Sequence, residues 1–166
     1  MPHTCTGYSF SSLSRSFTVS PSLKETELLS VQDILIAGNR FSELKTTSLS
    51  LHDLERYPLI GLAPHTGTYS FYKRLFESHG LIYQTPIEAA TTDQVLPLVA
   101  HDIGLGFLPR RLAQPALQNG EVFEVSLKEP IPERHISLIR DRSRPLSAAA
   151  ETLAELTESI ADPRHV

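Results

Sequence analysis

The chain's 166 residues, 40% hydrophobic and 20% charged, have the make-up of a soluble globular protein and suffice for one domain or two small lobes with an ordinary core. A formal charge of −4 argues against nucleic-acid binding by this chain alone, and no apolar run approaches the ~20 residues of a membrane helix. The single cysteine, Cys5, excludes an intrachain disulfide, and the start lacks a basic region and apolar stretch, so the cytoplasm is the expected compartment.

Residues 1–16, rich in Ser and Thr and without period, read as poorly ordered or foreign to the fold. A short strand is expected at Phe17-Thr-Val-Ser20, then a polar connection over residues 21–30. Asp33-Ile-Leu-Ile-Ala37 is a short, β-branched apolar run that suits a buried strand ended by Gly38-Asn39. Ser50-Leu-His-Asp53 has the form of a capping box, opening a short helix that stops before Pro58. Leu59–Ala63 reads as a second strand. A helix follows Pro64-His-Thr-Gly-Thr68, with Phe71, Leu75 and Phe76 as its apolar stripe and Gly80 as its stop.

Pro86–Ala90 reads as a third strand, and Thr91-Thr92-Asp93 caps a helix that Pro97 should bend. Gly104 is expected to end that helix, and Gly106 to let a strand pass closely by a neighbour. Pro109 opens another helix, closed by Asn119-Gly120. Strands at Glu121–Leu127 and Arg134–Ile139 follow. Ser147 caps the last helix, whose stripe of Ala149, Leu153, Leu156 and Ile160 should pack into the core. The alternation of strands and helices predicts an α/β fold with largely parallel sheets.

No catalytic or metal-binding constellation emerges, and no cofactor is implied. Gly104-Leu-Gly106 follows a helix and lacks a third glycine, so it is no dinucleotide fingerprint. The seven histidines include no pair at i, i+4 and have no cysteine beside them. There is neither a nucleophile elbow nor a Walker loop. Two places are suited to a ligand. Thr66-Gly67-Thr68 and Thr91-Thr92 each follow a strand and open a helix, where backbone N–H groups and hydroxyls can hold an anion. The alternative for each threonine is a plain helix cap. Arg110-Arg111 and Arg140/Arg142/Arg144 read as solvated basic faces.

Taken in order, Ile34-Leu-Ile-Ala37, Ser48-Leu-Ser-Leu-His-Asp-Leu54, Tyr57-Pro-Leu-Ile60, Thr66-Gly-Thr68, Leu98-Val-Ala-His-Asp-Ile-Gly-Leu-Gly-Phe-Leu-Pro109 and Arg144-Pro-Leu-Ser-Ala-Ala149 resemble the effector-binding region of LysR-type transcriptional regulators, over about residues 17–160. The resemblance implies two Rossmann-like α/β lobes joined by two crossing strands, like type 2 periplasmic binding proteins. A small, anionic metabolite would sit in the interlobe cleft, at Thr66, Gly67, Thr68, Thr91 and Thr92. The second lobe is expected at residues 38–107 and the first at 17–37 and 108–166. The crossings, as hinges, fall at Ala37, Gly38 and Asn39 and at Gly106, Phe107 and Leu108.

The first lobe reads as incomplete, and the family's DNA-binding helix-turn-helix does not resemble any part of the chain. Direct DNA binding is therefore not expected. The reading is a non-enzymatic sensing module, associating as a homodimer or with a full-length regulator. Its alternative is a stand-alone small-molecule-binding or interaction protein, including a dominant-negative partner of such a regulator. A small enzyme has no acid–base pair to support it.

Overall fold

The computed structural model describes residues 11–12 and 22–161; the strand expected at Phe17–Ser20 and most of residues 1–16 lie outside them. The chain divides into two compact units, residues 32–133 and residues 1–31 with 134–166. These divisions lie at 31/32 and 133/134, beside the lobe boundaries of 37/38 and 107/108 that the resemblance implies.

In the smaller unit, β1 (Ser11–Ser12) and β2 (Leu23–Val31) both pair antiparallel with β8 (Arg134–Asp141). The polar connection expected at 21–30 is thus a strand. Its alternation is hidden in sequence because a bulge between Glu27 and Leu29 shifts the register, moving the inward face from even spacing. Helix α4 (Ala148–Ala161) belongs to this unit. Ser147 accepts the Ala150 N–H as a cap, at 3.3 Å. The stripe expected in the core is on the outside: Leu153, Leu156 and Ile160 are 50, 54 and 65% exposed, whereas Ala154 is buried. The inward face runs through Ala150, Ala154, Thr157 and Glu158, and Glu158 is ion-paired with Arg140 of β8.

Residues 32–133 hold a five-stranded sheet, β5-β4-β6-β3-β7. Its strands are β3 (Asp33–Gly38), β4 (Leu59–Leu62), β5 (Ile87–Ala89), β6 (Leu105–Pro109) and β7 (Val122–Val125). Only β5-β4-β6 is parallel; β3 runs antiparallel to both its neighbours, so the sheets are mixed rather than largely parallel. Every residue of β3 is buried, as a continuous apolar run between two strands must be. Helix α1 (Gly67–Ser78) packs one face with Phe71, Tyr72, Leu75 and Phe76. Helices α2 (Thr92–Ala100) and α3 (Arg110–Gln118) cover the other through Val95, Val99, Ala113 and Ala116. Two 3₁₀ segments, Asn39–Thr46 and His52–Arg56, complete the α1 side.

The capping box at Ser50 forms as read. Ser50 N–H donates to Asp53 Oδ2 at 2.9 Å, and Asp53 N–H to Ser50 Oγ at 3.2 Å. Gly80 and Gly120 have φ of +72° and stop their helices, a conformation that favours glycine. Gly104 does not end α2. That role falls to Asp102, at φ +61°, and Gly104 instead faces the Pro58 carbonyl, which an added Cβ would approach to 2.3 Å. Gly106 does pass closely by α2, at 2.6 Å from Val95 for an added Cβ. Pro109 ends β6 and caps α3 rather than opening it.

Candidate functional site

Parallel strands bring their carboxyl ends to one edge of a sheet. Leu62 of β4 is level with Ala89 of β5, and Ile60 with Gly106 of β6. Helices α1, α2 and α3 each start just beyond these ends, so three helix N-termini line this edge of the 32–133 unit. The macrodipoles and the unpaired first N–H groups of each helix make the edge attractive to negative charge.

The two threonine clusters predicted as a site are therefore neighbours, since adjacent strands lie ~4.8 Å apart, but their chemistry differs. Thr66 is a true cap. Its hydroxyl donates to Ala63 O at 2.8 Å and accepts from Tyr69 N–H at 3.1 Å. Its proton is thus committed inside the protein. Gly67 begins the helix in an exposed position, Thr68 is half-buried beside it, and the first turn of α1 carries no acid. Thr91 stands at the cap position of α2, yet its side chain makes no capping bond. Gln94 takes over the turn, accepting the Ala90 N–H at 2.9 Å. Exposed Thr91 keeps a hydroxyl that the fold does not use as a cap, with Thr92 half-buried after it. Asp93 in the same turn offsets the dipole and disfavours an anion there.

Two features of the edge escaped sequence reading. Arg110 and Arg111 form the first turn of α3, at the end of β6. Arg110 is held by Glu124 at 2.6 Å, and exposed Arg111 adds positive charge at a helix N-terminus, where anion binding benefits most. A basic pair is a common solvated feature, and only the strand order puts it beside β4. The second feature is Asp33. It is fully buried and accepts a hydrogen bond from the Tyr72 phenol. It sits opposite Pro109 at the start of β3, on the same edge. Its position before an apolar run gave no signal, because a strand start is an ordinary place for Asp.

The hinge residues fall inside the sheet of the larger unit. Ala37 and Gly38 are in β3; Gly106, Phe107 and Leu108 are in β6, and these strands pair with each other, Leu35 opposite Phe107. Asn39 begins the first 3₁₀ segment. The chain passes between the units at 31/32 and 133/134. Among the described residues no cluster of three or more His, Cys, Asp or Glu is placed to hold a metal ion. No described helix is long and apolar enough to cross a membrane.

The family described as the LysR substrate binding domain matches residues 12–160. No curated protein matches the chain in sequence. Among solved structures, the chain is similar to the CcmR regulatory domain of Synechocystis PCC6803 in complex with 2-PG, with a TM-score of 0.76 at 14% identity over 93% of this chain and 73% of that one. The effector binding domain of QuiR in complex with shikimate gives 0.71 at 18%, over 87% and 68%. The apo regulatory domain of HypT from Salmonella typhimurium gives 0.72 at 14%, over 93% and 72%. At these identities the likeness is one of fold: α/β, of the kind that type 2 periplasmic binding proteins share with LysR regulatory domains.

Proposed function

The chain belongs to the LysR substrate binding domain family, and from that premise we propose that it senses a small anionic metabolite at the helix-lined edge of the 32–133 unit. The family is non-enzymatic, and its effector domains bind small metabolites. Related domains are described with ligands as different as 2-PG and shikimate, so the effector's identity does not carry over. The observation that carries the anionic reading is the convergence of three helix N-termini at the ends of β5, β4 and β6, with Arg111 beside them. Gly67, Thr68, Thr91 and Thr92 are the residues assigned to contact the effector, and Thr66 holds the α1 turn in shape. Effector binding would favour one conformation through contacts that another lacks. The expected setting is the cytoplasm.

Titrating the protein with small carboxylates and inorganic anions, read by amide chemical shifts, tests this. Shifts are expected at Gly67, Thr68 and Thr92. Absence of any anion-dependent shift at these amides, across a panel of small carboxylates, sinks the assignment.

A second reading concerns association. The exposed Leu153, Leu156 and Ile160 on α4 favour a partner surface, such as a second copy or a full-length regulator, because neighbouring exposed apolar side chains often mark an interface. Light scattering after chromatography distinguishes a dimer from a monomer, and co-purification with a full-length regulator distinguishes the mixed assembly.

A further inference from the structure

A groove of about 860 Å³ opens on the α1 side of the 32–133 unit, beside edge strand β5. Its volume is in the range of small-molecule pockets, ~300–1,000 Å³. Tyr57, Tyr69 and Tyr83 line it, together with Glu55 and Glu88, and no Lys, Arg or His does. Tyr83 is buried to all but 6%, packed between the rings of Phe76 and Tyr69 at 5.0 and 5.4 Å. Burial, helped by Tyr69, pushes its phenol pKa well above the ordinary value, so the hydroxyl stays neutral.

That hydroxyl makes no hydrogen bond among the described residues, and it is not one of their fully enclosed unpartnered atoms, so it keeps access to the groove. It lies over β4: a Cβ added to Gly61 would stand 2.9 Å from Tyr83 Oη. Glu88 is the register partner of Gly61 on β5, so its side chain leaves the same face of the sheet. The Thr85 side chain takes the space directly over Gly61, 2.3 Å from that Cβ position, and the Tyr83 phenol and the Glu88 carboxylate both line the groove beside it. Neither Glu88 nor Glu55 forms an ion pair among the described residues.

We propose that this groove is a binding site for a primary alkylammonium compound. The ammonium N–H groups donate to Tyr83 Oη and the Glu88 carboxylate, and the charge rests against the tyrosine faces. This goes beyond the anion site: it uses other residues and the opposite charge, so either assignment stands if the other fails. The chain has no Trp and five Tyr, three of which line the groove, so tyrosine absorbance and fluorescence report directly on it.

The full chain is titrated with butylammonium, with butyrate as the opposite charge and tetramethylammonium as the cation without N–H donors. Saturable tyrosine changes and amide shifts at residues 81–88 are expected with butylammonium, with weaker binding of tetramethylammonium and none of butyrate there. Glu88→Gln and Tyr83→Phe, both folded by circular dichroism, should each weaken butylammonium binding at least 3-fold. Equal amide shifts at residues 81–88 with butylammonium and with butyrate overturn the proposal, as does no shift there. Tetramethylammonium binding as tightly as butylammonium, or unchanged binding in both variants, overturns the assigned hydrogen bonds and with them the ligand class.

Discussion

At Thr66 and Thr91 the same residue type does two jobs. The Thr66 hydroxyl closes the first turn of α1, so Thr66→Ala should lower stability by about 1 kcal/mol, the usual worth of a cap. Thr91 caps nothing with its side chain. Thr91→Val should leave the melting temperature within about a degree while weakening effector binding by the ~1 kcal/mol of one net hydrogen bond; thermal melts and an anion titration separate the two. Asp53 shows the same logic in its acidity. Its hydrogen bonds from the Ser50 hydroxyl and backbone hold its pKa below the ordinary carboxylate value. A lowered folded pKa contributes stability above the unfolded value, about 3.9, that is lost as pH falls through the folded one. Ser50→Ala should move the Asp53 carboxyl resonance midpoint back up in an NMR pH titration. Glycines divide likewise: Gly104→Ala drives a Cβ into the Pro58 carbonyl and should cost about 1–3 kcal/mol, as overpacking does.

At the scale of elements, β3 was legible as a strand because a short β-branched apolar run has few alternatives, and β6 because Gly106 lets a strand pass closely by a neighbour. Their roles were not. An apolar run says that both faces are covered, and a crossing strand and a central sheet strand satisfy that equally. In the structure β3 is bonded to β6 on one side and β7 on the other. Amides of Leu35 to Ala37 and of Gly106 to Leu108 are therefore expected to exchange as slowly as those of β4. Fast exchange there would instead support the hinge expected from the sequence. β2 was missed because its bulge breaks the two-residue period by which half-buried strands are recognised. For α4 the period was right and the face wrong. Alanine at 150 and 154 and threonine at 157 allow close approach to the sheet, and the larger Leu153, Leu156 and Ile160 are left outside. Leu156→Glu should then leave the helix folded, as read by circular dichroism, and abolish any self-association seen by light scattering.

For the whole molecule, both apolar core clusters lie within residues 32–133. A domain folds alone when its own core offsets the entropy of ordering its backbone. A chain of residues 32–133 should therefore keep cooperative unfolding and native-like circular dichroism; a broad, non-cooperative melt would contradict this. The family, the α/β class and most element positions were readable because they rest on local order and hydrophobic period. The candidate site was readable only in part. Thr66–Thr68 and Thr91–Thr92 announce themselves as strand-to-helix junctions, whereas Arg111 and the Asp33–Tyr72 pair join them only through strand order.

The amino-acid sequence alone determined where the chain turns, which runs are apolar and which family it resembles, since each depends on neighbours along the chain. Tertiary structure alone decided which strands are adjacent, which face of α4 is buried and where the two compact units divide. It also decided that Gly61, distant in the chain from Tyr83 and Glu88, lies against the first and is level with the second. Those outcomes depend on pairing and packing between distant segments, and no short-range period encodes which partner a buried surface will find.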